Sequence, residues 1–179
     1  MKSSPLQLEW VTYPKLSFEA NSSCEDSSGS MPIECVADVS YMRDGHHLAE
    51  LVVRNEPTSK DKQPFFFELS VFARFSMDVD IARATYNNSQ AFPRIAAVNV
   101  SRILLSSARD LLSTVTARSP YGSAMIESVL LEPSDVKVSY EGDSVSFKKD
   151  IFGIAADVVP DHAVAGAPPK PKRPSKTAT

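Results

Sequence analysis

The sequence predicts an α+β domain: a four-stranded antiparallel sheet with one long amphipathic helix packed on one face and a short C-terminal helix. Two patterns carry that expectation. Phe65, Phe67, Leu69, Val71, Ala73, Phe75 and Met77 alternate with Glu68, Ser70, Arg74 and Ser76, a period of two that only a β-strand has. From residue 99 to 118 the period changes, with Val100, Leu104, Ala108, Leu111 and Val115 recurring at spacings of three or four, the signature of an amphipathic helix.

The elements follow in order. Leu6, Leu8 and Trp10 alternate with Gln7 and Glu9, and beyond Pro14 the segment Leu16-Ser17-Phe18-Glu19-Ala20 resumes the same period. This is a first strand bent at a proline, where a bulge or a sheet edge belongs. Residues 21–32, rich in Ser with Gly29, read as a loop. Cys35, Ala37, Val39 and Tyr41 form a second strand, Asp44-Gly45 supplies a tight hairpin turn, and 48–54 returns as the third. After a polar loop to Pro64, the fourth strand, 65–77, could span roughly 43 Å at 3.3 Å per residue. One face of it is apolar throughout, while Phe66 and Phe72 sit on the other among charged and hydroxyl groups.

The helix 99–118 is closed by Ser119-Pro120, and Ile103, Leu105 and Leu112 widen its apolar stripe. A stripe so wide calls for more cover than one side of a four-stranded sheet, so the helix is expected between two sheets, its own and a neighbour's, in an oligomer. The alternative stays open that the N-terminal strand and the C-terminal segment cover it within one subunit. Beyond Pro133, Val136, Val138 and Tyr140 alternate, and Phe147, Ile151, Ile154 and Val158 have helical spacing. The expectation is an extended segment followed by a helix over 144–158, although Gly153 costs about 1 kcal/mol inside it.

Composition bounds the rest. With 179 residues, 42% of them hydrophobic, the chain suits one domain, 1–162, plus a tail, 163–179. The tail holds Lys170, Lys172, Arg173, Lys176 and four prolines but no acid, and is expected to be disordered. Without it the body has 15 basic against 22 acidic residues, a net charge of −7 against −3 for the whole chain, which argues against a nucleic-acid surface. The first residues lack the apolar core of a secretion signal and no run is long enough to span a bilayer, so a cytoplasmic protein without membrane insertion is expected. Cys24 and Cys35 make no disulfide framework and read as free thiols.

Catalytic vocabulary is sparse. His46 and His47 are adjacent on a strand and point to opposite faces, which does not suit a metal site with Cys24 or Cys35. His162 and Asp44 join no nucleophile–base arrangement, and no Gly-rich phosphate loop or Gly-Lys-Ser/Thr motif is present. A non-enzymatic protein without metal or cofactor is the expectation. Trp10, Tyr13, Phe92 and Tyr121 lie at strand ends or loops, outside the two clear core stripes, where each either closes its own subunit's core or is open to a contact.

The order of parts resembles a known family. Four strands are followed by a helix containing Ala108-Arg109-Asp110-Leu111-Leu112-Ser113-Thr114-Val115-Thr116-Ala117-Arg118. An apolar run then closes on a proline at Val129-Leu130-Leu131-Glu132-Pro133, and Leu16-Ser17-Phe18-Glu19-Ala20-Asn21 lies in the first strand. Together these are similar to the export chaperone SecB and its SecB-like relatives, over roughly residues 6–136. The resemblance implies a homotetramer, a dimer of dimers, acting as an ATP-independent holdase that wraps unfolded chains along apolar grooves, for which Trp10, Tyr13, Phe92 and Tyr121 are the candidate client contacts. It implies partner contacts at Glu19, Phe66 and Glu68 on the exposed sheet face, which Phe72 shares. It also places Phe67, Leu69 and Val71 at a contact between copies, where the helix residues Leu104, Ala108 and Leu111 would join them.

The chain departs from the family at Leu105-Ser106-Ser107, at Ser119-Pro120-Tyr121-Gly122 and at Ser134-Asp135, and it has Lys15 where an acidic contact to the translocation motor SecA stands. Such a charge reversal weakens an electrostatic encounter. Some SecB-like proteins instead protect an antitoxin, a role that a divergent sequence would suit. Two other classes compete: a sheet-based adaptor binding one folded partner through Phe66, Glu68 and Phe72, and, more distantly, an esterase-like enzyme.

Overall fold

The computed structural model describes residues 4–22, 24, 31–55, 63–86, 90–119 and 121–154. Strands β1 (Leu6–Ala20), β2 (Ile33–Tyr41), β3 (His46–Asn55) and β4 (Phe65–Met77) are followed by helices α1 (Val79–Thr85) and α2 (Phe92–Thr116), strand β5 (Val136–Tyr140) and helix α3 (Ser144–Phe152). The sheet has five strands in the order β1-β4-β3-β2-β5. Its first four are antiparallel, as the alternating patterns require, but β5 lies parallel to β2, with Ala37 opposite Val136 and Tyr41 opposite Tyr140. The expected four-stranded antiparallel sheet is therefore corrected to a mixed five-stranded one. The fifth strand is the 136–140 segment, and the α2-to-β5 crossover makes its pairing parallel.

Strand β1 carries two register shifts against β4, between Leu8 and Trp10 and between Thr12 and Lys15. The second spans Pro14, whose missing N–H can give nothing to a ladder, and β1 is an edge strand as Pro14 suggested. The β2–β3 hairpin turns at Gly45, φ 81°, where the Asp44 carboxylate accepts the His46 N–H at 2.8 Å.

Helix α2 begins seven residues before the expected start, with Pro93 in its first turn, where a missing N–H costs nothing. Its buried residues include Ala96, Ala97, Val100, Leu104 and Ala108. Every odd-numbered residue of β4 from Phe65 to Met77 is buried. Phe67, Leu69, Val71, Leu104 and Ala108 are thus sheltered inside a single chain, and the argument that they need a second copy is corrected. The missing cover is a strap, residues 121–135, that returns along α2. Arg94 donates to the Pro133 carbonyl (3.0 Å), Arg102 to Leu131 (2.7 Å) and Arg109 to Glu127 (2.6 Å), while Leu131 and Ile126 turn into the core.

The short helix α1 was not anticipated. Asp78 caps it, its carboxylate accepting the Ile81 N–H at 2.9 Å. Helix α3 starts on Asp143 and ends at Phe152, because Gly153 takes the left-handed conformation (φ 59°) and its N–H bonds to Lys149. The expected helix to 158 is shortened accordingly, and residues 155–158 lie outside the described ones. So do the tail 163–179 and most of the two polar loops.

At the α2 N-terminal end the core is aromatic. Tyr41 meets His47, Phe75, Tyr140 and Phe152, and its hydroxyl donates to the Pro93 carbonyl. His47 is buried there, its Nδ1 accepting the Met42 N–H at 3.2 Å. Burial lowers the pKa of this imidazole from 6.5 to about 4. The folded protein holds it neutral where the unfolded chain would take a proton, so stability is complete above about pH 6.5 and falls as the pH drops toward 4. The loss approaches roughly 3 kcal/mol at most. Urea denaturation between pH 7 and 4.5 should show this decline, and His47→Gln should flatten it.

Candidate functional site

Two surfaces on opposite faces of the sheet present apolar side chains. On the inner face, α2 lies over the central strands and leaves β1 beside it. Leu8 pairs with Phe75, and Leu16 with Leu69, so their side chains point to the same side as the core. Tyr13, at the second bulge, reaches across to α2, its hydroxyl 2.5 Å from that of Ser107. Ser107 belongs to the ridge Ile103–Ser107–Leu111–Val115, whose spacing of four puts all of them on one flank of the helix. Leu8, Tyr13, Leu16, Ile103 and Val115 are between 38% and 44% exposed, and Val11, Phe18 and Leu111 lie half-buried beneath them. The result is an apolar groove with β1 as floor and α2 as wall, bridged at its middle by Tyr13 and Ser107.

On the outer face the cross-strand rows sort by chemistry. Lys15, Glu68, Arg54 and Glu34 lie opposite one another in neighbouring strands or nearly so, with Lys15 to Glu68 at 2.8 Å and Arg54 to Glu34 at 2.9 Å. Lys15 is the chief cause of the lowered pKa of the Glu68 carboxyl, and Arg54 that of Glu34. Trp10 leans on Phe72, ring centroids 5.6 Å apart. Beside them Glu9 binds both His46 Nδ1 (2.7 Å) and Arg74 Nε (2.6 Å).

Of the sequence-derived contact residues, only Tyr13 lines the groove. Trp10 is on the opposite face. Phe92 is buried against Phe152, which removes it from the candidate contacts. Tyr121 packs on Phe65 and donates from its hydroxyl to the Asn21 carbonyl at 2.8 Å, holding the first turn of the strap to the end of β1. Glu19, Phe66, Glu68 and Phe72 share the outer face, as their positions in β1 and β4 require. Leu111 alone of the residues expected between copies keeps exposed surface. Leu8, Leu16, Ile103 and Val115 were missed as contacts because each satisfies its element's apolar period, and period alone cannot tell which stretch of a stripe is left uncovered.

His46 and His47 point to opposite faces, and no group of three or more possible metal ligands occurs among the described residues. Burial raises the Cys35 thiol to about 11, so it is not a thiolate near neutrality. No described helix is long and apolar enough to cross a membrane.

No family model and no curated protein matches the chain. Among solved structures it is similar to the Mycobacterium tuberculosis Rv1957 SecB-like chaperone, determined in complex with a ChAD peptide from the Rv1956 HigA1 antitoxin. The identity is 10%, over 72% of this chain and 93% of that one, with a TM-score of 0.46.

Because the groove residues are half-exposed, carboxylates there should leave the fold intact. Leu16→Asp and Ile103→Asp should each cost about 1 to 2 kcal/mol for the half of the side chain that is buried, less than a domain's stability, while the fluorescence of an added apolar dye such as ANS falls. Unchanged dye fluorescence would show that the groove is not the apolar surface the dye finds.

Proposed function

We propose that this protein is an ATP-independent holdase that takes non-native polypeptide into the groove between β1 and α2. The observation that carries the reading is the row of half-exposed apolar side chains from Leu8 to Leu16, facing the Ile103–Val115 ridge along the same flank. An unfolded chain exposes apolar side chains, and covering the exposed remainder of one Leu or Ile returns about 1 kcal/mol at 25 cal/mol per Å². Several such contacts offset the cost of ordering the client and leave modest affinity per groove. Only contacts of this kind are needed, and they discriminate little between sequences.

The strap supplies a second support. It is an extended segment of the chain lying along the other flank of α2, so the helix already packs against non-regular polypeptide. The sequence motifs that resemble SecB agree with this role, and the client would be an export substrate or a particular partner such as an antitoxin. Assembly as a dimer of dimers, which that resemblance implies, would add effective concentration by letting several grooves hold one long client. The copies would meet through surface that the strap and α2 leave exposed. A cytoplasmic location belongs to the same reading.

A second reading, an adaptor for one folded partner, is favoured by the Trp10–Phe72 pair on the outer face. The Lys15–Glu68 ion pair weighs against it, because the carboxylate offered to a partner is already engaged within the chain.

Aggregation of two unrelated denatured proteins, followed by light scattering without nucleotide, separates the readings. The holdase slows both, Leu16→Asp with Ile103→Asp loses the effect about tenfold or more, and Phe72→Ser keeps it. Failure to slow either, with tight binding of one folded partner that is lost in Phe72→Ser, would establish the adaptor instead.

A further inference from the structure

The strap is held in an unusual way. Among the described residues, no amide from Ser128 to Leu131 has a hydrogen-bond partner, and the carbonyls of Glu127, Leu131 and Pro133 accept from arginine side chains. Its bonds to the rest of the chain gather before residue 128, where Gly122 turns on Ser119, the Ala124 N–H donates to the Thr116 hydroxyl and Met31 brackets Ile126 through Met125 and Glu127, while at the far end Asp135 closes only a local turn on Glu132. Met125 and Leu130, both 71% exposed, point away from the core. A stretch with few buried side chains and solvent-facing backbone opens at low free energy.

The arginines that hold it have the chemistry of a general receptor for extended chain. Arg94, Arg102 and Arg109 are spaced eight and seven apart and so project from one flank of α2. Each uses one donor nitrogen on the strap out of the five N–H groups a guanidinium carries, and Arg109 Nε is buried with no acceptor. None of the three forms an ion pair among the described residues. Main-chain carbonyls are common to every polypeptide, so donors aimed at them read extended conformation rather than sequence.

We propose that residues 127–131 occupy, in cis, a second polypeptide-binding groove on the flank of α2 opposite β1, and that a non-native chain displaces them from it. The inference rests on the holdase reading and extends it: α2 is gripped by client on both flanks, with the strap holding one side closed until client is present. The ligand is an extended, apolar, non-native polypeptide that offers carbonyls to Arg94, Arg102 and Arg109 and one large side chain to the site of Leu131. While the strap is docked, the apparent affinity of this flank is reduced by the fraction of molecules in which it is closed.

The test uses the full chain and a fluorescent, unstructured apolar peptide without acidic residues, its binding read by anisotropy. In Leu16→Asp with Ile103→Asp, which removes the β1 groove, binding should be weak, and adding Leu131→Ala should strengthen it about tenfold by freeing the strap. In the unmutated chain, saturating peptide should speed cleavage after Glu127 by a glutamate-specific protease, a readout that also serves if the Leu131 variant does not fold. Peptide that binds the unmutated chain but leaves cleavage at Glu127 unchanged or slower overturns the second groove and leaves the holdase standing. Peptide that binds neither the unmutated chain nor any variant overturns both.

Discussion

The architecture depends on one packing contact, the seating of α2 on the inner face of β4 and β3. Ala96, Ala97 and Ala108 let the helix approach closely, and Leu104 and Leu112 fill the space between. A helix is about 10 Å wide and strands are spaced about 4.8 Å apart, so one helix covers about two strands. Five strands leave surplus on both sides. Toward β2 and β5 the surplus is taken up by the strap and by α3, whose Phe147 and Phe152 pack on Tyr140 and Tyr41. Toward β1 no described element takes it up, and the groove is what remains. The apolar surface left open beside β1 is thus a geometric consequence of covering a five-stranded sheet with one long helix.

Strand β1 also faces the hazard of an open edge. Fifteen residues of unpaired backbone would invite edge-to-edge association, but two register shifts and Pro14 break the row, and Lys15 adds a charge on the outer face. The edge is therefore poorly suited to continuous strand addition while its inner side chains stay available. Glu9, in the first shift, ties β1 across β4 to His46 on β3, so the floor is anchored to the sheet on its outer face as well.

Much of this was legible in the sequence. Alternation located β1 to β4, Pro14 marked an edge strand with a break, Asp44-Gly45 marked the hairpin, and the spacing of Val100, Leu104 and Ala108 marked α2. What escaped were features decided by tertiary context. The 136–140 segment is too short for its pattern to reveal that it pairs parallel with β2. Nor does the pattern show the strap as cover, because its side chains alternate imperfectly and the arginines that fasten it look like solvated charges on a helix. Gly153 was read as a cost within α3, whereas its left-handed backbone ends that helix. The site was less legible than the fold: of the rings singled out, Tyr13 lies in the groove and Phe92 in the core, and Glu68 is engaged by Lys15, the residue whose charge sets this chain apart from the SecB pattern.

The central claim is positional, that non-native chain lies between β1 and α2 rather than on the outer sheet face. Site-specific photo-crosslinking tests it most directly, with a benzophenone amino acid placed in turn at Leu16, Ile103 and Val36 and a denatured protein as client. The account predicts nucleotide-independent crosslinks from positions 16 and 103 and few from 36, the exposed outer-face position on β2. Crosslinks confined to position 36, or none from any of the three while the client remains bound, would contradict it.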